Sequence, residues 1–435
     1  MTEYLLEAGA LLWPLPASIT VDGADAAPRE TIRAASAATA STARPETTST
    51  APPEDRLAGK DRETSAAALD REFFLLPGAG RPRLVVPAIP RAAAAAVRRY
   101  GEPGSLAAWL GTRALAVALS SGAGPAVTRR RMRVRAPAGA ETIESYLTTA
   151  LARDLRVSMH LGAPRANRKP VLQLLTPRGE TVGFAKIGVN PLTRDLVRTE
   201  SEALARLGSA ALGEVRVPEV LHHGVWRGLE VLVLSALPVW RRRRRLAAAR
   251  LTAAMSDVAR VDGLSRARLA DGGYLRRLRA RLAVVDEGPQ RAALAEALDA
   301  AAERAGDAVL AYGAWHGDWT PWNMASTGLG LLVWDWERFT CGVPLGFDAL
   351  HHRLQSELVP GRREPRAAAV SCIERAPGLL APFEVDAAEA RLTAVFYLAD
   401  LAIRYLADRQ DKAGAARGAA GRWLIPAITG EVARL

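Results

Sequence analysis

The sequence predicts an α+β chain of two lobes, a small β-sheet lobe followed by a larger helical lobe, behind an N-terminal accessory region. Three observations predict it. Between residues 157 and 237, short apolar runs rich in Val, Leu and Ile alternate with turn signals. From Leu246 to the end, Leu, Ala and Arg recur at helical spacing between Asp-Gly and Gly-Pro breaks. Ahead of both, residues 19–68 hold few large apolar side chains. At 435 residues, 49% of them hydrophobic, the chain can build two or three units with sizeable cores.

Residues 1–70 read as a mostly disordered tail. From Ile19 to Ala68 the composition is Ala, Thr, Ser, Pro and Glu in irregular alternation (AASAATASTARPETTSTAPPED), which cannot offset its ordering entropy. Tyr4 to Leu15 is expected to form a short docked piece. Residues 71–140 form an Arg-rich accessory region, with a strand pair EFFLL and RLVVP around PGAGRP, a helix-like RAAAAAVRRY and the basic run TRRRMRVR at 128–135. Residues 141–238 follow as a nucleotide-binding sheet lobe. Ile143, Tyr146, Leu147, Ala150 and Leu151 mark a helix; VSMHL, VLQLLT and TVGFAKI are strands; Arg194 to Leu207 is a helix; VPEVLHHGVW and LEVLVLSAL are two further strands. Residues 239–435 are helix-rich, with helices expected over Leu246–Val261, Tyr274–Val285, Arg291–Ala311, Leu345–Leu358, Pro365–Ala376, Ala387–Leu406 and Ala413–Trp423.

The formal charge of +12 suits an anionic partner, and its position matters more than its total. Residues 71–140 carry 12 Arg against 2 Glu, a surplus of 10 that accounts for most of it. That region reads either as a solvated face or as one for an anionic partner. Only two cysteines are present, Cys341 and Cys372, too far apart in sequence for a CxxC zinc site and too few for a disulfide framework. A reducing, cytoplasmic setting is expected. His222-His223 and His351-His352 lack zinc-site spacing and acidic company. The start lacks a basic n-region, and no apolar run reaches 18 residues, so no membrane span is expected.

Chemistry concentrates in residues 314–339, AWHGDWTPWNMASTGLGLLVWDWERF, which also hold five of the 10 Trp. A loop carboxylate, Asp318, is followed five residues on by an amide, Asn323, and then by a short hairpin that delivers a second carboxylate, Asp335. Phosphoryl transfer needs such a convergence: one group to orient or accept the proton of the attacking hydroxyl, and oxygen ligands for a Mg²⁺ that neutralises the phosphates. Asp318 is the candidate base, and Asn323 and Asp335 are the candidate metal ligands. His316, Glu337 and most of the tryptophans read as structural.

His316-Gly317-Asp318, Asn323 and the strand-end Asp335-Trp336-Glu337 resemble the catalytic loop and metal-binding strand of the aminoglycoside phosphotransferase and choline kinase superfamily, which has a protein-kinase-like fold. The resemblance covers about residues 141 to 435. It implies that Lys186, in the strand TVGFAKI, contacts the α- and β-phosphates of ATP (or GTP), and that Glu200, or else Glu202, on the next helix pairs with it. It also implies that backbone groups near Ser235 to Leu237 bind the nucleobase. The loop LGAPRANRKP (161–170) should cover the phosphates but has one Gly where protein kinases have GxGxxG, so Asn167, Arg168 and Lys169 read as a solvated turn. PLGFDAL resembles the segment in which an Asp such as Asp348 caps a helix and steadies the loop.

The implied function is transfer of the γ-phosphate to a hydroxyl of a small molecule. RRRRR at 241–245 and the lack of a comparable acidic run favour a sugar-like, anionic or neutral acceptor over a polycation. The alternative is a non-catalytic protein of this fold that holds a polyanion or membrane surface through residues 71–140.

Overall fold

The structure, a computed structural model, describes residues 2–22, 30–32, 69–77, 81–99, 106–359, 361, 363–413 and 419–434. Packing divides the chain into two compact units, Met1–Leu161 with Gln173–Thr181, and Gly162–Leu172 with Val182–Leu435.

The first unit holds α1 (Thr2–Leu12), β1 (Ser18–Asp22), β2 (Glu30–Ile32), β3 (Leu69–Leu76), β4 (Leu84–Pro87), α2 (Pro90–Arg99), α3 (Leu106–Ser120), α4 (Gly124–Val127), β5 (Arg131–Ala136), α5 (Ile143–Leu151) and β6 (Arg156–His160); the division falls within β7 (Val171–Leu175). Its strands pair antiparallel in the order β6-β4-β3-β5-β1-β2. Thus β6, expected to open the nucleotide-binding sheet, pairs with β4, Leu84 lying opposite His160. The α2 alanines Ala92 to Ala96 are buried, because side chains this small let the helix approach β4 closely. The docked start is present: Leu5, Leu12 and Trp13 are buried, with the Trp13 ring 5.4 Å from Phe73. Residues 19–22 correct the expected tail. Ile19 is buried and its backbone pairs with Val134, so this stretch is strand. Residues 30–32 pair with it as β2, and residues 23–29 and 33–68 lie outside the described residues.

The arginine surplus of 71–140 is partly neutralised locally. Arg71 pairs with Glu144 at 2.9 Å, Arg133 with Glu72 at 3.2 Å, Arg131 with Glu72 at 3.3 Å and Arg135 with Asp70 at 3.5 Å. The pairs to Glu72 and Asp70 lie on one face of β3 and β5, whereas Arg71, on the other face, reaches Glu144 of α5.

The second unit holds β8 (Thr181–Gly188), α6 (Pro191–Ser209), β9 (Val215–Arg216), β10 (Val220–Trp226), β11 (Leu229–Ser235), α7 (Ala248–Ala259), β12 (Ser265–Arg268), α8 (Gly273–Ala283), α9 (Pro289–Ala305), β13 (Val309–Trp315), β14 (Met324–Thr327), β15 (Gly330–Val333), β16 (Thr340–Pro344), α10 (Phe347–Leu358), α11 (Pro365–Leu380), α12 (Ala387–Ala407) and α13 (Ala420–Val432). β8, β11 and β10 form an antiparallel sheet, and α6 packs on β11. Asn190 caps α6 by accepting from the Thr193 amide, and Pro191 sits in the first turn where its missing N–H costs nothing.

The helical part is built around α12, which is buried from Ala390 through most of its length to Arg404 against α8, α10, α11 and α13. The helix expected over Arg291–Ala311 ends at Ala305. Gly306 and Asp307 stop it, and Val309 to Trp315 continue as β13, paired with β12 and β16. The last helix starts at Ala420 rather than at Ala413, and residues 414–418 lie outside the described residues.

Candidate active site

The site begins with a lysine on a strand. Lys186 alternates inward on β8, and its ammonium lies 2.7 and 2.6 Å from the two carboxylate oxygens of Glu200 on α6 and 2.5 Å from Asp335 Oδ1. Glu200 is fully buried, whereas Glu202 is exposed, which decides between the two candidates. Burial by itself lowers the Lys186 ammonium, but Asp335, Glu200 and Glu337 outweigh it and hold the group charged. Burial likewise raises Asp335, yet Lys186 and then Lys169 hold its carboxyl well below the usual range. The Trp336 amide donates to Glu200 Oε1 at 3.1 Å, so α6 is tied directly to the segment that bears Asp335.

The hairpin of β14 and β15 delivers Asn323 immediately before its first strand and Asp335 after its second. Trp334 N–H donates to Asn323 O at 3.0 Å and closes the open end of the hairpin. Asp335 itself adopts φ +73°, a left-handed conformation that few non-glycine residues accept. The strained turn aims its carboxylate back at Lys186.

Asp318 is held from both sides. Asn323 Nδ2 donates to Asp318 Oδ2 and to its carbonyl, both at 3.0 Å, which leaves the Asn323 amide oxygen as the atom available to a cation. His351 Nε2 lies 3.0 Å from Asp318 Oδ1, and His351 Nδ1 lies 3.1 Å from the Tyr397 hydroxyl. An ionised carboxylate only accepts, so Nε2 carries the proton, and Tyr397 then donates to Nδ1. Burial lowers the His351 pKa, against the pull of Asp318, which favours this neutral form.

The loop around Asp318 is fixed by groups behind it. His316 Nδ1 accepts from the Asp318 amide at 3.0 Å and Nε2 donates to Trp334 O at 3.1 Å; burial pushes its pKa down to about 4, so it is neutral and structural. Asp348 accepts from the amides of His316 at 2.8 Å and Gly317 at 3.2 Å. It steadies the loop as expected, but it does not cap α10, whose N-cap is Gly346 without a side-chain bond. From α12, Arg404 Nη1 donates to Gly317 O at 2.7 Å.

Three further placements differ from the sequence reading or refine it. Ser235 donates its amide to Glu219 O at 2.8 Å, so of Ser235 and Leu237 it is Leu237 whose backbone N–H has no partner among the described residues. Lys169 is not solvated: its side chain is 7% exposed and ion-paired with Glu337, and Asn167 Nδ2 donates to the same carboxylate at 3.2 Å. Trp315, Trp319 and Trp336 are buried as loop packing, whereas Trp322, four residues beyond Asp318, is 46% exposed.

One carboxylate oxygen from each of Glu200, Asp335 and Glu337 lies within 4.8 Å of the other two. Hard oxygen donors at this spacing suit Mg²⁺ rather than a soft metal. Arg241 to Arg245 are exposed, and Arg241, Arg242, Arg244 and Arg245 have no ion pair among the described residues. Their backbone is pinned to the hairpin, with Arg244 N–H donating to Ser326 O at 2.9 Å and Arg243 bridging Thr327.

The strand lysine, the helix glutamate and the strand-end aspartate are thus in direct contact. No protein-family model and no curated protein sequence matches the chain. Solved structures similar to it include aminoglycoside phosphotransferases and a choline kinase. A thermostable mutant of aminoglycoside phosphotransferase APH(4)-Ia, in a ternary complex with ADP and hygromycin B, is 14% identical over 67% of this chain and 98% of its own, with a TM-score of 0.43. Choline kinase LicA from Streptococcus pneumoniae is 14% identical over 67% and 98%, with a TM-score of 0.42. Aminoglycoside phosphotransferase APH(2'')-Ib, ADP-bound, is 14% identical over 66% and 97%, with a TM-score of 0.39.

Sequence reasoning missed His351, Tyr397, Arg404 and the Lys169–Glu337 pair. His351 follows Asp348 by three residues, one turn along the same helix, which is the only signal that points to it. Tyr397 and Arg404 lie in a helix whose sequence reads simply as apolar.

Proposed function

We propose that the chain is a small-molecule kinase of the aminoglycoside phosphotransferase type, moving the γ-phosphate of ATP or GTP to a hydroxyl of a sugar-like, anionic or neutral metabolite. The observation that carries this reading is the bridge of Lys186 between Glu200 and Asp335, set beside an Asp318 that is fixed at both oxygens. Residues 141–238 take the nucleotide, with Leu237 at the nucleobase, and residues 239–435 supply the catalytic loop. Residues 71–140 serve as an accessory region.

In this reading Lys186, positioned by Glu200, holds the α- and β-phosphates. Asn323 and Asp335 would hold Mg²⁺, which when bound would neutralise the polyphosphate. Asp318 orients the acceptor hydroxyl and takes its proton as the new oxygen–phosphorus bond forms and the bond from the γ-phosphorus to the bridging oxygen breaks. His351 and Asn323 fix the direction of that carboxylate, so little reorganisation remains for the reacting groups.

The exposed arginines after β11 support an acceptor that is not a polycation, since a cationic antibiotic would meet like charge there. Both cysteines are free, which supports a reducing, cytoplasmic setting. Among the described residues no helix is long and apolar enough to cross a membrane.

Thermal unfolding with Mg·ATP, Mg·GTP and neither tests the nucleotide site without knowledge of the acceptor. Ligand at a hundredfold over Kd adds about 2.7 kcal/mol. A metal-dependent rise in Tm for the wild type, absent in Asp335→Asn, is expected; no rise with either nucleotide overturns the proposal. A panel of sugars, sugar phosphates and aminoglycosides then tests the acceptor, and turnover confined to aminoglycosides defeats the charge argument.

A further inference from the structure

The loop of residues 162–170 is latched to the segment that bears Asp335. Lys169 is ion-paired with Glu337, both side chains being almost fully buried, at 7% and 4% exposure. Asn167 Nδ2 adds a second donor to Glu337, while Asn167 Oδ1 is buried with no hydrogen-bond partner. Ala166 N–H donates to Gln410 Oε1 at 3.4 Å, and Gln410 in turn bonds Asp408, the partner of Arg338.

We propose, on the reading that this is a nucleotide site, that Lys169 is a second phosphate-binding lysine, held on Glu337 in the free protein and transferred to the terminal phosphates of the nucleotide. Charge is the first argument. Glu200, Asp335 and Glu337 bring three negative charges within 4.8 Å, and Lys186 and Lys169 return two positive ones. A divalent cation on the carboxylates would over-neutralise the cluster and free an ammonium for the four negative charges of a nucleoside triphosphate. Placement is the second. Lys186 already serves one end of the polyphosphate, and Lys169 stands on the residue two beyond Asp335, in the loop that covers it. The third is economy: a buried ion pair contributes little net stability, so a latch alone gives weak reason to bury a lysine here. The orphaned Asn167 Oδ1 marks the same loop as incompletely satisfied without a ligand.

The test measures binding of ATP, ADP and AMP, with Mg²⁺ and with EDTA, to wild type, Lys169→Met, Lys169→Arg and Glu337→Gln by calorimetry and thermal shift. Lys169→Met should lose about ten- to hundredfold in ATP affinity, the value of a charge-assisted bond, and almost nothing for AMP, with Lys169→Arg recovering part of the loss. Glu337→Gln removes the competitor for the ammonium, so its metal-free ATP binding should be tighter than that of the wild type. Equal affinities of Lys169→Met and wild type for ATP overturn the inference, as does a uniform loss for all three nucleotides with a lower Tm of the free protein, which is the behaviour of a structural latch. If Lys169→Met does not fold, unchanged or weaker metal-free ATP binding by Glu337→Gln overturns it instead. A wild type that binds no nucleotide removes the functional reading itself and this inference with it, whereas nucleotide binding that is indifferent to residue 169 removes the inference alone.

Discussion

Asp335 combines two demands in one residue, a left-handed backbone and a carboxylate pressed against an ammonium. Asn accepts φ +73° far better than other non-glycine residues, so Asp335→Asn should keep the fold and lose the charge. Its Tm without ligand is expected within a few degrees of wild type while phosphoryl transfer disappears; retained transfer would remove Asp335 from the metal set. His351 is the other informative position. Replacing it with Leu leaves Asp318 Oδ1 and the Tyr397 hydroxyl without their partner, an expected loss of about 1–3 kcal/mol by urea denaturation. Because the lost bond positions Asp318 and touches no phosphate, kcat should fall with the KM for nucleotide unchanged. A KM effect of equal size would show that His351 shapes the nucleotide site instead. Asp318, Asn323 and Asp335 were legible in the sequence because a loop acid, an amide and a strand-end acid occur at short, ordered separations. His351 and Tyr397 were not, since their relation to Asp318 spans 33 and 79 residues and exists only after α10 and α12 have packed.

At the scale of elements, the HGD loop is held in shape by α10 and α12 rather than by its own sequence. Gly317 has φ +84°, and a Cβ there would lie 2.3 Å from Arg338 O, so Gly317→Ala faces both backbone strain and a clash with main chain that cannot move aside. A loss of about 2 kcal/mol or more in stability is expected, together with loss of the nucleotide-dependent Tm rise. Arg404→Met keeps most of the packing of α12 on Trp315 but removes the donor to Gly317 O; it should spare far-ultraviolet circular dichroism and reduce kcat, and an unaltered kcat would show that Asp348 alone holds the loop. Strands β6, β8, β10 and β11 were readable from apolar runs bounded by turns. β13 was not. Its Ala-rich approach continues the pattern of α9, and only pairing with β12 and β16 makes Val309 to Trp315 extended. Residues 19–22 went unread for a similar reason, since a single buried Ile and a ladder to β5 order a stretch whose composition is weak.

For the molecule as a whole, buried histidines couple stability to pH. Burial pushes His160, His316 and His352 each down to about 4. Unfolded histidines take up a proton near pH 6.5, folded ones only near 4, so between these values the unfolded chain binds more protons and stability rises with pH. The contribution is complete above pH 6.5 and is lost as pH falls toward 4. Asp348, raised to about 7 by burial, works in the opposite sense, as the folded state keeps its proton longer. His160 isolates the effect, since it lies on β6 in the first unit and is not one of the residues of the site. Between pH 6.5 and 4, the stability of His160→Gln should decline less steeply than that of wild type by about 1.4 kcal/mol per pH unit. Parallel declines in urea melts would show that His160 titrates normally.

The sequence by itself determined the α+β order of strands and helices, the HGD loop with its amide and strand-end carboxylate, and the lysine strand followed by a glutamate helix. Each of these is a local pattern, written in spacing and residue type over a few turns or one hairpin. Tertiary structure alone decided which glutamate Lys186 takes, that Lys169 is buried on Glu337, that Ser235 has already spent its amide, and that His351, Tyr397 and Arg404 stand behind the loop. Those are choices between side chains of equal local merit, and they are made by burial: a charge or donor removed from water must find a partner, and which partner lies in reach depends on packing between segments far apart in the chain.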